Sequence, residues 1–519
     1  MPGDCKEECG VAAVYLKKSL KHYPEGGASY YLYKMLLQLQ HRGQLSAGIT
    51  TFNSERLQII NTYKKLGTVN EVFRTHNSEK TRHLLHKYSG TAGIGHVRYA
   101  TLGGEGLALA HPFERHHGRK WKWFSFAMNG NIANYALLKR KLEKRQYHLP
   151  RNSDTELLLH YISKELVGSK KMEISKIFSN LSKVFDGSYC LTYINAEGQI
   201  AAVRDPWGLR PLCYAEDKEK ILIASESCAL VNLTHAQIKS VKPGHILVIK
   251  NGKLHIKRFA KKKNISHCMF EWVYFANPSS IIDGRSVYQS RYRMGKELAK
   301  KEFLNTNDSD LIVVCVPDTS KPIADAYAFY TGIRDQEGLL RNRYVGRTFI
   351  EGKKRSEKVR EKFFLNKPIL KGKKVILIED SIVRGTTTKE LIKYIKNEGK
   401  AKEVHMRFGA PPIRSPCFYG IDMSSVKELI AARNSFNHQK PPFKELTKKE
   451  LNKIRKEIGA DSIVYQSVDS LIKAINIPKN SLCLACLNAV YPTPEGRKLR
   501  KKAVYSFSCN SKSNKRIYE

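Results

Sequence analysis

Two acidic residues and the turn after them have the residue types needed to bind a phosphorylated sugar. Glu379 and Asp380 come directly after the apolar run VILI, and the turn from Ser381 to Thr387 leads into the helical pattern KELIKYIK. A short β-branched run of this kind predicts a strand buried on both faces of a parallel sheet. The two acids would then lie at the carboxyl end of that strand, where open α/β sheets bind their ligands.

The turn and the acids suit different parts of such a ligand. Gly385 lets the backbone approach closely, while Thr386, Thr387 and the first amides of the next helix can hold a phosphate. The two carboxylates can bind sugar hydroxyls or Mg²⁺, which prefers oxygen ligands and often shares them with substrate phosphates. Taken alone, two acids and a glycine also fit an ordinary strand end with a solvated acidic pair.

A cysteine close to the amino terminus offers a second chemistry. Cys9 lies between an acidic pair and Gly10, and the apolar run VAAVYL after it predicts the first strand of a core. If residues 1–8 were removed as a leader, the free α-amine of Cys9 would have an ordinary pKa of roughly 7.7–8.0 and could act as general base for the thiol. The alternative is an incidental cysteine near a chain end.

Cysteines in the second half of the chain form a third group. Cys483 and Cys486 make a C-x-x-C pair, and Cys268 and Cys417 are two further candidates. By spacing alone the four suit a zinc ion, an iron–sulfur cluster or plain buried thiols. Because no secretory signal is evident, the eleven cysteines are expected to be catalytic, metal-bound or buried in preference to forming disulfides.

Apolar runs and turn signals predict the elements that carry these residues. The run LIVVCV from Leu311 to Val316 predicts a second buried strand, which ends at the loop PDTS beside the same ligand site. A helix is expected from Val287 to Phe303. In the first half, PGHILVI ending at Ile249 is interpreted as the last strand, and the basic segment from Lys250 to Asn264 as a linker.

The composition is that of a large globular protein with an excess of basic residues. The chain has 519 residues, 41% of them hydrophobic, and its 90 Lys and Arg against 48 Asp and Glu give a formal charge of +42. Because the basic residues are spread along the whole length, they indicate a solvated surface more than a nucleic-acid site, although they would also attract anionic substrates. No run is long enough to cross a bilayer and no targeting segment is evident, so we expect a cytoplasmic protein without membrane or nucleic-acid partners.

Four stretches of the first half, taken together, resemble a known enzyme domain. QLQHRGQLSAGI begins at Gln38, GIGHVRYATLG at Gly93, MNGNIAN at Met128 and SDTE at Ser153. In this order they resemble the glutamine-amidotransferase domain of the amino-terminal nucleophile (Ntn) hydrolases. Taken singly, the same stretches also fit a common turn, a surface ion pair or a helix capping box.

The resemblance implies a role for each functional residue of that half. Cys9 would attack the side-chain amide of glutamine and release ammonia through a glutamyl thioester. Arg98 would pair bidentately with the substrate α-carboxylate, and Asp154 would hold the α-amino group. The side-chain amide of Asn129 and the backbone N–H of Gly130 would form the oxyanion hole.

The central stretch KVILIEDSIVRGTTT resembles the phosphoribosyl-pyrophosphate (PRPP) loop of type I phosphoribosyltransferases. Its part SIVRGTT resembles the form of this motif in amidophosphoribosyltransferases. The residues implied to contact PRPP are Glu379, Asp380, Ser381, Arg384, Gly385, Thr386 and Thr387. Those implied to contact Mg²⁺ are Ser320, Glu379 and Asp380. RNRYVGRTFI resembles the family's mobile loop, in which Arg343 and Arg347 would also contact PRPP. Glu379 stands where most members have Asp, and Asp318 where Glu is more common.

The cysteines also match a feature of that family. Cys268, Cys417, Cys483 and Cys486 stand at the positions of the ligands of a structural [4Fe–4S] cluster in one branch, which also has a leader before its catalytic cysteine. The resemblance therefore implies Mg²⁺ and a [4Fe–4S] cluster as cofactors. It also implies inhibition by purine nucleotides and a homodimer or homotetramer.

The implied architecture has two domains of the α/β and α+β classes. An Ntn-hydrolase αββα sandwich precedes a phosphoribosyltransferase domain built on a parallel sheet. The predicted ranges are a leader at 1–8, the amidotransferase domain at 9–260, the phosphoribosyltransferase domain at 261–450 and a carboxyl-terminal segment at 451–519. The implied reaction hydrolyses glutamine at Cys9, channels ammonia to PRPP and forms 5-phosphoribosylamine, glutamate and pyrophosphate, the first committed step of purine synthesis.

Two other functions are weighed against this one. A hexosamine-forming amidotransferase would need a sugar-isomerase pattern in place of IEDSIVRGTT, which disfavours it. An inactive amidotransferase scaffold, acting as a basic regulatory or nucleic-acid-binding protein, would account for the +42 charge and for Glu379. That second alternative is disfavoured by the presence of the four predicted cluster cysteines and of Cys9, Arg98, Asn129, Asp154 and Asp380.

Overall fold

The computed structural model describes residues 9–23, 26–99, 106–342, 355–423, 425–435 and 441–508. The leader at 1–8, Arg343 and Arg347 lie outside these ranges, so what is predicted for them stays a prediction. No helix within the described ranges is both long and apolar enough to cross a membrane.

The first domain is built on two antiparallel sheets. Its strands are β1 (Gly10–Leu16), β2 (Ser46–Phe52), β3 (Ile60–Leu66), β4 (Ala92–Arg98), β5 (Phe113–Arg115), β6 (Phe124–Ile132), β7 (Gly187–Asn195), β8 (Ile200–Arg204), β9 (Cys213–Glu216), β10 (Lys220–Ala224), β11 (Lys239–Ser240), β12 (His245–Lys250) and β13 (Lys253–Arg258). The strand order is β11-β9-β10-β1-β4-β2-β3 in the first sheet and β13-β12-β8-β7-β6-β5 in the second. The helices of this domain are α1 (Ala28–Gln38), α2 (Val69–Val72), α3 (Ser78–Lys87), α4 (Tyr135–Glu143), α5 (Asp154–Glu165) and α6 (Ile174–Ser182).

Strand β1 shows how the layers pack. Val11 and Ala13 belong to an apolar layer shared with β6 to β8 of the second sheet, whereas Ala12 and Val14 belong to a layer shared with α1. Because successive side chains of a strand point to opposite faces, β1 is buried on both sides. Helices α4 to α6 pack on the outer face of the second sheet. The predicted αββα sandwich is confirmed.

The second domain contains a parallel sheet with the strand order β17-β20-β21-β22. Its strands are β14 (His267–Cys268), β15 (Ile281–Ile282), β16 (Arg285–Ser286), β17 (Leu311–Cys315), β18 (Leu339–Arg341), β19 (Phe363–Leu365), β20 (Lys374–Glu379), β21 (Glu403–Phe408), β22 (Ser462–Tyr465) and β23 (Leu482–Cys483). Its helices are α7 (Val287–Ala299), α8 (Lys321–Thr331), α9 (Arg355–Lys362), α10 (Lys367–Leu370), α11 (Thr386–Asn397), α12 (Ile430–Ser435), α13 (Lys448–Ile458), α14 (Val468–Ile475), α15 (Ala485–Asn488) and α16 (Pro494–Ser508).

The central strands of this sheet are buried on both faces, as the sequence predicts. Ile376 and Ile378 of β20 pack in the layer that contains α7 and α8, while Val375 and Leu377 pack in the layer of α11 and α13. Strands β17 and β20 pair in parallel and end side by side. The loops after their carboxyl ends therefore meet at one edge of the sheet.

Two predicted boundaries need correction. The interpretation of 250–264 as a linker after a last strand is wrong in part, because β13 lies within it and pairs with β12 over six residues. The strand is at the sheet edge and mostly exposed, so its lysines mask the alternation expected of a half-buried strand. In the second domain β22 joins the parallel sheet although it follows residue 450, which extends the sheet into the segment assigned to the carboxyl end.

Candidate active sites

Cys9 precedes β1 and lies beside the end of β4. The two strands pair antiparallel with Gly10 opposite Val97, so the same register sets Cys9 opposite Arg98. The cysteine is buried, and its Sγ lies 3.9 Å from the carbonyl oxygen of Tyr99. Strand pairing therefore brings the predicted nucleophile close to the arginine predicted to bind the substrate carboxylate.

Asn129 and Gly130 lie near the end of β6. The Nδ2 atom of Asn129 is buried and has no hydrogen-bond partner among the residues that the structure describes. A buried donor without a partner is costly, and it fits a site that presents the donor to a substrate. Gly130 has φ +146°, and a Cβ there would lie 2.0 Å from the carbonyl oxygen of Ser188, so the position requires glycine.

Asp154 is the first residue of α5, which Ser153 caps by accepting a 3.1 Å hydrogen bond from the backbone N–H of Glu156. Its Oδ2 accepts a 3.4 Å hydrogen bond from the backbone N–H of Ile132, at the end of the strand that carries Asn129. Burial raises the pKa of Asp154 to about 6, against the lowering effect of that N–H and of the nearby Arg98 charge. An acid and an arginine thus lie together beside the predicted oxyanion donors.

In the second domain, Glu379 and Asp380 follow β20 into the ligand edge of the sheet, and both are buried. Asp380 accepts hydrogen bonds from Thr319 Oγ1 at 2.5 Å and from Ser381 Oγ at 2.7 Å. Burial raises the pKa of Asp380, while these hydroxyls and the charge of Arg291 act in the opposite direction. The end of β20 thus presents a carboxylate that hydroxyls from both strand-end loops hold in place.

The turn after the acids leads directly into α11. Gly385 has φ +80°, and a Cβ there would lie 2.4 Å from Cδ1 of Ile430, so glycine suits the position on both counts. Thr386 and Thr387 are the first two residues of the helix, at the end whose amides and dipole favour an anion. The predicted phosphate cradle has the backbone form that its chemistry requires.

Arg384 is engaged by acids of its own domain. Its Nε donates to Oε2 of Glu428 at 2.8 Å, and its Nη2 donates to the carbonyl oxygen of Asp422 at 2.9 Å. These contacts hold the guanidinium at the start of the turn. The predicted PRPP contact of Arg384 stays a prediction.

The loop after β17 contains the third predicted Mg²⁺ contact. Ser320 is fully buried, and its hydroxyl donates to the carbonyl oxygen of Val316 at 2.5 Å, which leaves the hydroxyl oxygen as the group that could bind a cation. Asp318, the residue that differs from the family pattern, is ion-paired with Arg341 of β18. The metal contact of Ser320 stays a prediction.

The four predicted cluster cysteines, which are far apart in the sequence, line one cavity of about 20 Å³ together with Arg210 and Tyr419. Strands β14 and β23 pair in parallel with Cys268 opposite Cys483. Burial raises the pKa of Cys268 to about 12. Within the described ranges, no three His, Cys, Asp or Glu side chains are arranged to hold a metal ion, so the cluster stays a prediction.

Sequence reasoning missed a buried ionic network beside Cys9. Arg42 is ion-paired with Glu226 and, at 3.0 Å, with Glu271 of the second domain, and Glu271 is also 3.3 Å from Arg210. All four side chains are almost completely buried. The network could have been predicted from charged residues within otherwise apolar stretches, such as Glu271 in FEWVYF. A charged residue in such a stretch is expected to be buried, and buried charges are paired.

Comparisons with known proteins agree with this arrangement. A family model described as a glutamine amidotransferase domain matches residues 111–232, and one described as a phosphoribosyl transferase domain matches residues 286–407. The chain is 38% identical over 495 residues to the amidophosphoribosyltransferase of Methanothermobacter thermautotrophicus, with 95% of this chain and 96% of that protein covered. The chain belongs to the amidophosphoribosyltransferase family. The amidophosphoribosyltransferase of Bacillus subtilis is 36% identical over 496 residues, with 94% of each chain covered.

Two solved structures have the same fold. The glutamine PRPP amidotransferase from Bacillus subtilis, complexed with ADP and GMP, matches with a TM-score of 0.78 at 34% identity and covers 94% of this chain and 98% of that chain. A structure described as the allosteric regulatory enzyme of purine biosynthesis matches with a TM-score of 0.79 at 35% identity, covering 93% and 96%. The predicted two-domain fold and enzyme class, a glycosyltransferase with glutamine amidotransferase activity, are confirmed.

Proposed function

We propose that this chain carries out the amidophosphoribosyltransferase reaction with the residues described above, taking nitrogen from glutamine at Cys9 and transferring it to PRPP at the end of β20. The observation that carries the assignment is the register that sets Cys9 opposite Arg98, together with the buried Nδ2 of Asn129, which has no hydrogen-bond partner among the described residues. The buried acids of a phosphoribosyltransferase sheet on the same chain supply the second site.

At the first site, Arg98 and Asp154 bind the α-carboxylate and α-ammonium groups of glutamine. The Cys9 sulfur attacks the side-chain carbonyl carbon, and the negative charge that develops on oxygen is stabilised by Asn129 Nδ2 and the N–H of Gly130. Ammonia leaves as the thioester forms, and water then releases glutamate. A leader of eight residues would have to be removed first, because the α-amine of Cys9 is the base this mechanism needs.

At the second site, the amides and hydroxyls at the start of α11 bind phosphate, and the acids at the end of β20 bind the ribose hydroxyls. Glu379, Asp380 and Ser320 have the oxygen donors that would hold Mg²⁺, which would neutralise the charge of the pyrophosphate leaving group. Ammonia displaces pyrophosphate from C1 of the ribose and loses a proton to give 5-phosphoribosylamine. Arg343 and Arg347 would contact PRPP from the loop above it.

The two domains are in direct contact, which supports transfer of ammonia between the sites. Asn131, next to the predicted oxyanion donors, donates through Nδ2 to the carbonyl oxygen of Phe418 at 3.0 Å. Arg210 donates to the carbonyl oxygen of Tyr419 at 3.0 Å. We propose that ammonia released at Cys9 crosses this junction, protected from protonation in the solvent.

The cysteine cavity supports the further proposal of a [4Fe–4S] cluster, because its donor set is four thiols and the family branch uses such ligands. Bound there, the cluster would cross-link β23 to β14 and to the loop of Cys417. Anaerobic purification should give about four iron and four sulfide per chain, and Cys268→Ser should lower both. Cys213→Ser is the matched control, since Cys213 is buried in the first domain. Equal iron content in both variants, or zinc in place of iron, would contradict the proposal.

We propose that the regulation, the assembly and the cellular location of this protein are those that its family resemblance implies. The Bacillus subtilis relative was solved with ADP and GMP, so purine nucleotides are proposed as inhibitors here. A dimer or tetramer in the cytoplasm is proposed as the working form. Turnover with and without added ADP and GMP, together with the mass of the native particle in solution, tests both points.

The deciding experiment is anaerobic turnover with glutamine, PRPP and Mg²⁺, in which glutamate and pyrophosphate are followed together and the intact mass is measured. Equal formation of both products, with a mass that lacks residues 1–8, is expected. Cys9→Ala should lose the glutamine reaction and keep the ammonia reaction, whereas Cys213→Ala should keep both. Neither product from a metal-loaded sample, together with retention of RNA at physiological salt, would favour the inactive scaffold.

A further inference from the structure

Two buried histidines lie between the strands that carry the predicted glutamine-site residues. His96 belongs to β4, two residues before Arg98, and alternation along the strand puts both side chains on the same face. His111 lies just before β5. The two rings stack with their centroids 4.1 Å apart and their planes at 15°. Neither residue was singled out in the sequence.

The pair is hydrogen-bonded to both backbone groups of Met128, the residue before Asn129. Nε2 of His96 lies 3.0 Å from the carbonyl oxygen of Met128, and the N–H of Met128 lies 3.3 Å from Nδ1 of His111. Strand β5 pairs with β6 with Phe113 opposite Phe126, and the same register sets His111 opposite Met128. The two imidazoles therefore supply hydrogen-bond partners for the backbone of β6 at Met128, beyond the residues of β5 that pair with this strand.

These contacts determine the protons on both rings. The carbonyl oxygen of Met128 can only accept, so His96 carries its proton on Nε2. The N–H of Met128 can only donate, so Nδ1 of His111 is unprotonated and its proton is on Nε2, which lies 3.1 Å from Oγ1 of Thr155. Both rings are neutral, in agreement with burial that lowers the pKa of His96 to about 3 and that of His111 well below its usual value.

We propose that His96 and His111 are positioning residues for glutamine hydrolysis, an inference that rests on the proposed function. They hold the oxyanion donors of β6 in register with the strand of Arg98 and with the helix of Asp154. His96 connects β4 to the peptide between Met128 and Asn129. His111 connects Met128 to Thr155, the neighbour of Asp154. Neither ring touches the substrate in this assignment.

The alternative is that the histidines merely fill the space between the sheets. A space-filling role would make glutamine hydrolysis sensitive only to the volume of these side chains. The positioning role instead makes the donor on His96 essential whatever the volume, because an amide displaced from the developing oxyanion stabilises it poorly. Variants of similar size, with and without the donor, separate the two roles.

The test compares His96→Gln, whose side-chain amide can donate to Met128 as Nε2 does, with His96→Leu, which cannot. In the leucine variant, kcat for glutamine hydrolysis is expected to fall at least about tenfold with KM for glutamine within about twofold, because Arg98 and Asp154 still bind the substrate. The glutamine variant should remain within about threefold of the unmodified enzyme. The ammonia-dependent reaction, measured in the same samples, should be unchanged in both.

Several outcomes would overturn the inference. A leucine variant with an unchanged kcat would do so, and so would equal losses in the two variants or a parallel loss of the ammonia reaction. Absence of glutamine hydrolysis in the unmodified enzyme would count against the proposed function as well, whereas normal hydrolysis with an unaffected leucine variant would overturn this inference alone.

His111→Asn gives an independent answer if the leucine variant does not fold. Its side-chain oxygen can replace Nδ1 as the acceptor for Met128, but the side chain is too short to reach Thr155. We expect kcat to be retained while KM for glutamine rises severalfold, because the start of α5 loses its contact. A fall in kcat with unchanged KM would overturn the assignment.

Discussion

The carbonyl oxygen of Cys9 accepts a 3.1 Å hydrogen bond from Nε of Arg42. The same guanidinium is ion-paired with Glu226 of the first domain and with Glu271 at the start of the second. The backbone of the predicted nucleophile is therefore attached, through one buried side chain, to the junction between the two domains. Arrangement of the domains and placement of Cys9 are physically connected.

Removing Arg42 should destabilise the protein strongly. Arg42→Met would leave the carboxylates of Glu226 and Glu271 buried with their main partner gone, at a cost of about 3–5 kcal/mol. Urea unfolding followed by fluorescence measures the change. Lys17→Met is the control, because its ion pair with Glu216 is at the surface and should contribute little. Equal unfolding midpoints for the two variants would contradict the importance of the network.

Asp154 should make glutamine use depend on pH. Because burial raises its pKa to about 6, the carboxylate that binds the α-ammonium group is lost as the pH falls through 6, and KM for glutamine should rise there. The ammonia reaction, followed at a constant concentration of unprotonated NH3, serves as the control, since it does not use this carboxylate. A KM for glutamine that is constant between pH 5 and 8 would contradict the prediction.

The same residue should limit stability at neutral pH. The pKa of Asp154 is about 6 in the folded protein and 3.8 in the unfolded chain, so the folded state binds more protons between these values and loses stability as the pH rises through 6. Asp154→Asn should therefore stabilise the protein by up to about 3 kcal/mol at pH 8, with a smaller gain at pH 5, while abolishing glutamine use. Thermal unfolding at the two pH values measures the difference, and a gain that grows towards pH 5 would reverse the sign.

Gly130→Ala should abolish glutamine hydrolysis. The added Cβ would lie 2.0 Å from the carbonyl oxygen of Ser188, so β6 must move away from β7 and take the oxyanion donors with it. We expect at least a hundredfold loss of kcat, as when an oxyanion donor is removed. Gly168→Ala is the matched control, because Gly168 has φ +92° but no atom of the described residues lies within 4 Å of the added Cβ. Comparable losses in both variants would mean that backbone strain alone is responsible.

Asp380→Asn should affect only the second site. Loss of the charge that Thr319 and Ser381 hold in place should lower the ammonia-dependent reaction with PRPP at least about a hundredfold. Hydrolysis of glutamine to glutamate, measured without PRPP, should stay within about twofold. Asp469→Asn, on the exposed side of α14, is the control. Full activity of the Asp380 variant with PRPP would remove this residue from the site.

Local patterns in the sequence determined the main elements and the chemistry of each motif. The short apolar runs before Glu379 and after Cys9 form buried strands because β-branched residues favour the extended backbone and both faces of each strand are covered. The acids after the run at 375–378 lie at the end of that strand. Gly385 indicates a turn with a positive φ, a backbone conformation that would be strained in other residues. These features depend on residues that are close together in the sequence, so they can be predicted without a structure.

Only the tertiary structure decided which distant residues meet. The register that sets Cys9 opposite Arg98, the pairing of Cys268 with Cys483, and the contact of Arg42 with Glu271 join positions far apart in the sequence. The edge strand β13 was not predicted for a related reason. Its lysines are exposed to solvent, so its sequence lacks a clear alternation, and it forms a strand because it pairs with β12. Side-chain pairs across sheets and domain junctions depend on the packing of whole layers, and no local spacing encodes that packing.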